Sequence, residues 1–357
     1  MNLFARIFLS CLCASLILSG CSSSDSLSSD TPTTLKLLTY DSFPTKDTTL
    51  NAALKEFTKE TGIKVDLRNA GDTGSMVAKA ILTAGNPEGD VMWGVDNTFV
   101  SRTIEKDIFV SYKAKELSAI SSTFTDLATK SLVTPVDYGD VCVNYDIAYF
   151  KKNNLEVPAT LDDLTKPEYK NLLAVEDPAS SSPGLAFLLA TIAHFGDDGW
   201  EQYWKDLRSN GVKVTESWDS AYYELFSGSS GKGAYPLVVS YATSPPAEVI
   251  YSDPRVDVAP TAAITSTCFR QVEFAGILRG TKHQKESQQL IDFLISKKFQ
   301  KEIPLNLFVY PIRDDVNLPQ EFTDFSTVPE QPFSIDPETI TKNREGWVDT
   351  WTQLVVR

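Results

Sequence analysis

From Leu35 onward the apolar positions switch between two periods. Leu35, Leu37 and Leu38 form a short apolar run that predicts a strand through Tyr40. Leu50, Leu54 and Phe57 then recur at helical spacing, with Gly62 placed to close the helix. Ile63, Val65 and Leu67 alternate as a strand. Ser75 to Ala84 reads as a helix with Met76, Val77, Ala80 and Ile81 on one side, and Asp90 to Val95 as the next strand. The order βαβαβ predicts a parallel sheet covered by helices.

The middle of the chain repeats this style. Gly184 to His194 is almost wholly apolar, which predicts a buried helix, and Gly199 to Asn210 is amphipathic and ends at Gly211. Strands are predicted at Val212–Ser217, Leu237–Tyr241 and Gln271–Leu278, with a helix at Asp219–Phe226. Gln284 to Ile303 reads as two short helices whose Leu290, Phe293 and Leu294 face the core. A proline-rich stretch from Pro319 to Pro337 leads to a last amphipathic helix carrying Trp347 and Trp351. No fixed-period repeat is present.

Composition narrows the class. The 357 residues hold 33 Lys and Arg against 47 Asp and Glu, a net charge of −14. A nucleic-acid binder needs a basic face to displace counterions, and a lipid-docking surface needs a polybasic cluster, so both are disfavoured. Two histidines and five cysteines leave little material for a His-rich metal site or a zinc ribbon.

The N-terminus reads as a targeting segment. Arg6 is followed by an apolar run to Leu18 that is too short to span a bilayer, and Leu18-Ser19-Gly20-Cys21 resembles a bacterial lipobox. The expectation is cleavage before Cys21, lipidation of its thiol and export, with residues 21–34 as a Ser-rich tether. Removing residues 1–20 takes away only Arg6 among the charges, leaving 32 basic against 47 acidic side chains, or −15. Cys11 and Cys13 leave with that segment, so the exported part retains Cys142 and Cys268. An oxidising compartment permits these two to pair; two buried free thiols are the alternative.

Ligands of open α/β sheets sit beyond the carboxyl ends of strands. There the chain carries Thr39-Tyr40-Asp41-Ser42-Phe43, Gly71-Asp72-Thr73-Gly74-Ser75 and Asp96-Asn97. Further along come Pro135–Gly139, Asp177–Gly184, Ser217–Tyr223 and Ser240–Pro245. Gly71–Ser75 and Ser180–Gly184 set hydroxyls and backbone N–H groups at helix N-termini, where an anion can sit; simple N-capping is the alternative. Asp41, Asp72, Asp96 and Asp137 with Tyr40, Trp218, Tyr222 and Tyr241 suit a flat cation, because ring faces attract positive charge and carboxylates add to it.

Seven segments, TYDSF (39–43), DVMWGVDN (90–97), PVDYG (135–139), DPASSSPGL (177–185), SWDSAY (217–222), SYATSP (240–245) and IPLNLFVYPI (303–312), resemble the thiamine-binding proteins of ABC importers. The resemblance runs in the same order from Leu35 to Arg357. It implies a two-lobed periplasmic-binding-protein-like α/β fold of type II, each lobe a mostly parallel sheet flanked by helices. Lobe 1 is expected at 35–110 with about 268–312 returning to it, lobe 2 at 111–267, and a C-terminal wrap and helix at 313–357. The implied ligand is thiamine, thiamine monophosphate or thiamine diphosphate, delivered by a monomeric, membrane-anchored, non-enzymatic protein to an ABC permease, with no cofactor and no metal. The ligand residues implied by the resemblance are Tyr40, Asp72, Thr73, Ser181, Trp218, Tyr241, Ala242, Thr243, Ser244 and Phe308, and the strand-end carboxylates and rings that suit a cation add Asp41, Asp96 and Tyr222. Ser181 matches a serine that meets the phosphate. Two departures bear on the phosphorylation state: the family usually has Asp-Gly where this chain has Asp72-Thr73, and Phe308 stands where a Trp is common.

Two alternatives belong to other classes. Tyr222-Tyr223 resembles the adjacent tyrosines of ferric-binding proteins, although His194 and His283 lie away from the expected cleft. A secreted hydrolase is disfavoured because Gly228-Ser229-Ser230-Gly231 is not a nucleophile elbow, and Gly231-Lys232-Gly233 lacks the residues and spacing of a P-loop.

Overall fold

The first helix shows how directly the pattern becomes structure. Thr48 and Asn51 cap the helix Thr49–Thr61 reciprocally, Leu50, Ala53, Leu54 and Phe57 bury one face, and Gly62 ends it in the left-handed conformation at φ 75°. A computed structural model describes residues 32–128 and 131–357. The expected signal segment, Cys21 and most of the tether lie outside the described residues.

Among the described residues ten strands form one sheet: β1 (Thr34–Thr39), β2 (Lys64–Asn69), β3 (Val91–Asp96), β4 (Phe109–Val110), β5 (Thr134–Asp146), β6 (Leu173–Glu176), β7 (Lys213–Thr215), β8 (Leu237–Tyr241), β9 (Thr261–Leu278) and β10 (Tyr310–Pro311). Their spatial order is β2-β1-β3-β9-β5-β8-β6-β7, with β4 beside β9 and β10 beside β5. The two ends, β2-β1-β3 and β8-β6-β7, hold the parallel pairs. The long strands β9 and β5 run antiparallel between them. The fold is therefore the two-lobed α/β architecture expected, with parallel sheet confined to each lobe and antiparallel strands crossing between lobes.

The crossing strand β5 differs from its sequence reading. Pro135–Gly139 carries turn-forming residues and reads as a strand end, yet it lies inside β5. A register shift between Pro135 and Asp137 absorbs the proline, and burial beside β9 overrides local propensity. Asp219–Phe226 differs in pitch: Ser220–Leu225 is a π-helical turn. The two helices expected at 184–210 form one segment, Ser182–Ser209, broken at Gly196, whose φ of 69° and ψ of −180° are non-helical. Trp204 of that segment packs edge-on against Trp351 of the C-terminal helix Pro337–Val355, with ring centroids 5.3 Å apart.

Cys142 and Cys268 form a disulfide between β5 and β9, with the sulfurs 1.95 Å apart. Both side chains are buried.

Candidate ligand-binding site

The first wall comes from the loops after β1 and β2. The Tyr40 ring lies against Gly94, where a Cβ would sit 2.4 Å from Tyr40 Cδ1; Gly94 also has a φ of 115°, so the position requires glycine twice over. Asp72 caps the helix Thr73–Leu82, its carboxylate accepting from the Thr73 N–H at 2.7 Å. Thr73 Oγ1 donates to the Gly94 carbonyl at 3.1 Å, which ties this helix start to β3.

The second wall follows β7 and β8. Trp218 stacks on Tyr222 with centroids 4.9 Å apart and planes 13° from parallel, and its Nε1 donates to Ser240 Oγ at 2.9 Å. One face and the donor of the indole are thus held, and the half-buried ring borders the cleft. Ser244 Oγ accepts from the Tyr241 N–H at 3.2 Å and lies 2.8 Å from Ser240 Oγ, which fixes the turn that presents the Tyr241 ring. That ring passes over Gly139, where a Cβ would lie 2.9 Å away. Phe308 caps the short helix Ile303–Leu307 in the left-handed conformation, and its carbonyl accepts from Thr243 Oγ1.

These walls enclose a cavity of about 180 Å³. Its lining is aromatic at Tyr40, Trp218, Tyr241 and Phe308, and acidic at Asp41, Asp72, Asp219 and Glu273. Burial pushes Asp72 up to about 6. Burial also raises Asp219, with Asp41 and Glu224 adding to the effect. Tyr40 and Tyr241 are raised well above the ordinary phenol by burial and then by Glu273, so both remain neutral rings. An aromatic cavity with carboxyl groups and neutral phenols can hold a flat cation by stacking and charge.

Of the residues expected from the sequence, Tyr40, Asp41, Asp72, Thr73, Trp218, Tyr222, Tyr241, Ser244 and Phe308 border this one cavity. Asp96, Ser181, Ala242 and Thr243 are buried outside its lining. Asp96 accepts from the Thr98 N–H and hydroxyl and from Gln271 and Ser182. It joins β3, the crossing strand β9 and the start of helix Ser182–Ser209. Thr243 holds Phe308, and Ala242 packs against the disulfide.

Sequence reasoning did not single out Ser182, Tyr251, Asn306 or Glu273 as lining residues. Glu273 had a signal: it is the one acid in the apolar strand Val272–Leu278. His194 lies outside the lining, with Nε2 2.8 Å from Asp162.

A family model described as bacterial extracellular solute-binding protein matches residues 87–334. The thiamine-binding periplasmic protein of Salmonella typhimurium is 28% identical over 324 residues, covering 90% of this chain and 94% of that protein. Its counterpart from Escherichia coli is 27% identical over 327 residues, with 90% and 94% covered. A solved periplasmic thiamin binding protein superposes with a TM-score of 0.79 at 27% identity, covering 91% of this chain and 96% of that one.

Proposed function

This chain belongs to the family of bacterial extracellular solute-binding proteins, and from that premise we propose that its interlobe cavity captures thiamine and hands it to an ABC permease. The observation that carries the reading is the lining itself. Aromatic side chains from both lobes, Tyr40, Trp218, Tyr241 and Phe308 among them, meet four carboxyl groups that have no lysine or arginine partner among the described residues. A thiazolium is a permanent cation and an aminopyrimidine is flat, so this chemistry complements both rings. The names of the curated relatives point the same way. Those relatives are named for binding, and the reading involves binding without turnover.

Thiamine is placed ahead of its phosphates for an electrostatic reason. The N-terminus of helix Thr73–Leu82 already carries the Asp72 carboxylate, which takes the position an incoming phosphate would need and repels it when ionised. Membrane anchoring through Cys21 is part of the same proposal. Mass spectrometry of the exported protein should show a diacylglycerol-modified N-terminal cysteine, and an unmodified cleaved chain would remove the anchor from it.

Trp218→Ala tests the cavity. Tyr222 and Ser240 already hold the indole, so little ordering is required on binding. Its loss is expected to weaken thiamine binding by about 1–3 kcal/mol, roughly 5- to 150-fold. Titration calorimetry with thiamine, its monophosphate and its diphosphate measures this and ranks the three ligands. Unchanged affinity in the variant would sink the assignment of the ring. A visible charge-transfer band on adding ferric citrate, with no heat from thiamine, would favour iron instead.

A further inference from the structure

Asp137 and Glu273 stand directly opposite one another where β5 pairs with β9. Both are buried. Trp93 Nε1 donates toward the two carboxyl groups at once, 3.1 Å from Asp137 Oδ2 and 3.3 Å from Glu273 Oε2. The other titratable groups facing the pair are Asp96 from β3, Tyr40 beyond β1 and Tyr241 at the end of β8, all acidic or phenolic. Arg270, three residues from Glu273, is committed to Asp140 through Nε at 2.5 Å and a second N–H at 3.2 Å. No lysine, arginine or histidine forms an ion pair with either carboxyl among the described residues.

Two carboxylates opposed across neighbouring strands and removed from water cannot both be ionised without a counter-charge. The arrangement therefore holds a proton. Of the two, Glu273 borders the cavity and Asp137 lies outside its lining, with Oδ1 free of any hydrogen-bond partner.

We propose that this pair exchanges its proton for the positive charge of the ligand. When a cation seats against Glu273, the O–H bond held between Glu273 and Asp137 breaks, its electron pair stays on the carboxylate and the proton leaves to solvent. The pair then becomes the counter-ion of the bound cation. The inference rests on the cationic ligand proposed above.

The direction of the pH effect follows. Burial pushes Asp137 up to about 7, with Asp96 adding to it, and burial followed by the neighbouring Asp137 carboxyl pushes Glu273 well above the usual carboxylate range. The free protein thus holds the proton at neutral pH. A cation beside the pair favours the ionised form and lowers both values. Binding must expel a proton at low pH and need not once the pair is already ionised, so affinity rises with pH. For one proton the limit is about tenfold per pH unit.

The test is thiamine titration calorimetry from about pH 6 to about pH 8, in buffers of different ionisation enthalpy. Wild type is expected to release close to one proton at the lower pH and to bind more tightly at the higher. Glu273→Gln and Asp137→Asn should each bind with little or no release and a flattened pH dependence. The two are tested separately so that either alone serves if the other does not fold. An uncharged analogue with a neutral ring in place of the thiazolium should bind without release. Thiamine binding with no proton release overturns the inference and leaves the ligand assignment standing. Release that persists in both variants and disappears in Asp72→Asn moves the proton to Asp72 and also overturns it. No thiamine binding at any pH removes the ligand assignment, and the inference with it.

Discussion

Gly74→Ala is expected to cost about 2–3 kcal/mol of ligand affinity, roughly 30- to 150-fold, while leaving the fold as stable as before or slightly more so. Gly74 is the second residue of helix Thr73–Leu82 in one lobe, and its N–H donates to the carbonyl of Ser180 in the other at 2.8 Å. A Cβ at that point would lie 2.6 Å from the carbonyl oxygens of both Ala179 and Ser180, and 2.8 Å from Ser180 Cα. All three are backbone atoms, so no side chain can swing aside. The lobes would have to separate there, and the hydrogen bond would go with the contact. The backbone of Gly74 is ordinary helix, where alanine is favoured over glycine by about 1 kcal/mol. The substitution therefore separates the contact between the lobes from folding. Calorimetry with thiamine, a thermal melt and small-angle scattering of the ligand-saturated variant check the result. A variant that binds like wild type and compacts on binding would show that the Gly74–Ser180 contact plays no part in capture.

In the β1–β3 lobe the first helix follows from pattern alone because it buries a single face, with Leu50, Leu54 and Phe57, and β3 follows as a short apolar run buried at every position. The crossing strands do not follow so easily. β5 is buried along most of its length by β9, β8 and β10, so its core positions do not alternate, and Pro135, Asp137 and Gly139 imitate a turn. The cavity residues at true strand ends, Tyr40, Trp218 and Tyr241, were readable because that is where open α/β sheets present side chains. Glu273 was not, because it lies mid-strand and reaches the cavity only where β9 passes between the lobes. Asp96 and Thr243 look like contact residues in sequence but act on other residues, joining β3 to Gln271 and Ser182 and holding the Phe308 carbonyl. A carboxylate or hydroxyl at a strand end carries no local mark of which of these it will do. Three consecutive serines, Ser180 to Ser182, likewise give no sign that the third borders the cavity while the second, buried like it, lies outside the lining.

Removing the disulfide by Cys142→Ala with Cys268→Ala is expected to lower unfolding stability by about 2–5 kcal/mol and the melting temperature by roughly 5–15 °C. The bridge closes a sequence separation of 126 residues, so its loss frees a long loop in the unfolded chain. Its place in the native sheet matters as much. Val141 pairs with Phe269 and Val143 with Ile264, so the segment 265–268 of β9 stands opposite Cys142 alone. The ladder shifts register over this bulge, and the Thr267 hydroxyl, accepting from the Val143 N–H at 2.9 Å, and the disulfide span it. Because Ala242 packs on both cysteines, the bulge also underlies the turn that presents Tyr241 and Ser244 to the cavity. Alanine avoids placing an unpaired hydroxyl at these buried positions. Affinity for thiamine should therefore fall by less than stability does, since Ser244 and the Asn144 Nδ2 donor to the Tyr241 carbonyl at 3.1 Å still hold that turn. Denaturant unfolding of the double variant beside oxidised and fully reduced wild type measures the first effect, and calorimetry the second. Equal stability of variant and oxidised wild type would mean that β5 and β9 hold together across the bulge without the bridge. A larger loss in binding than in stability would mean that the bridge acts chiefly on the cavity.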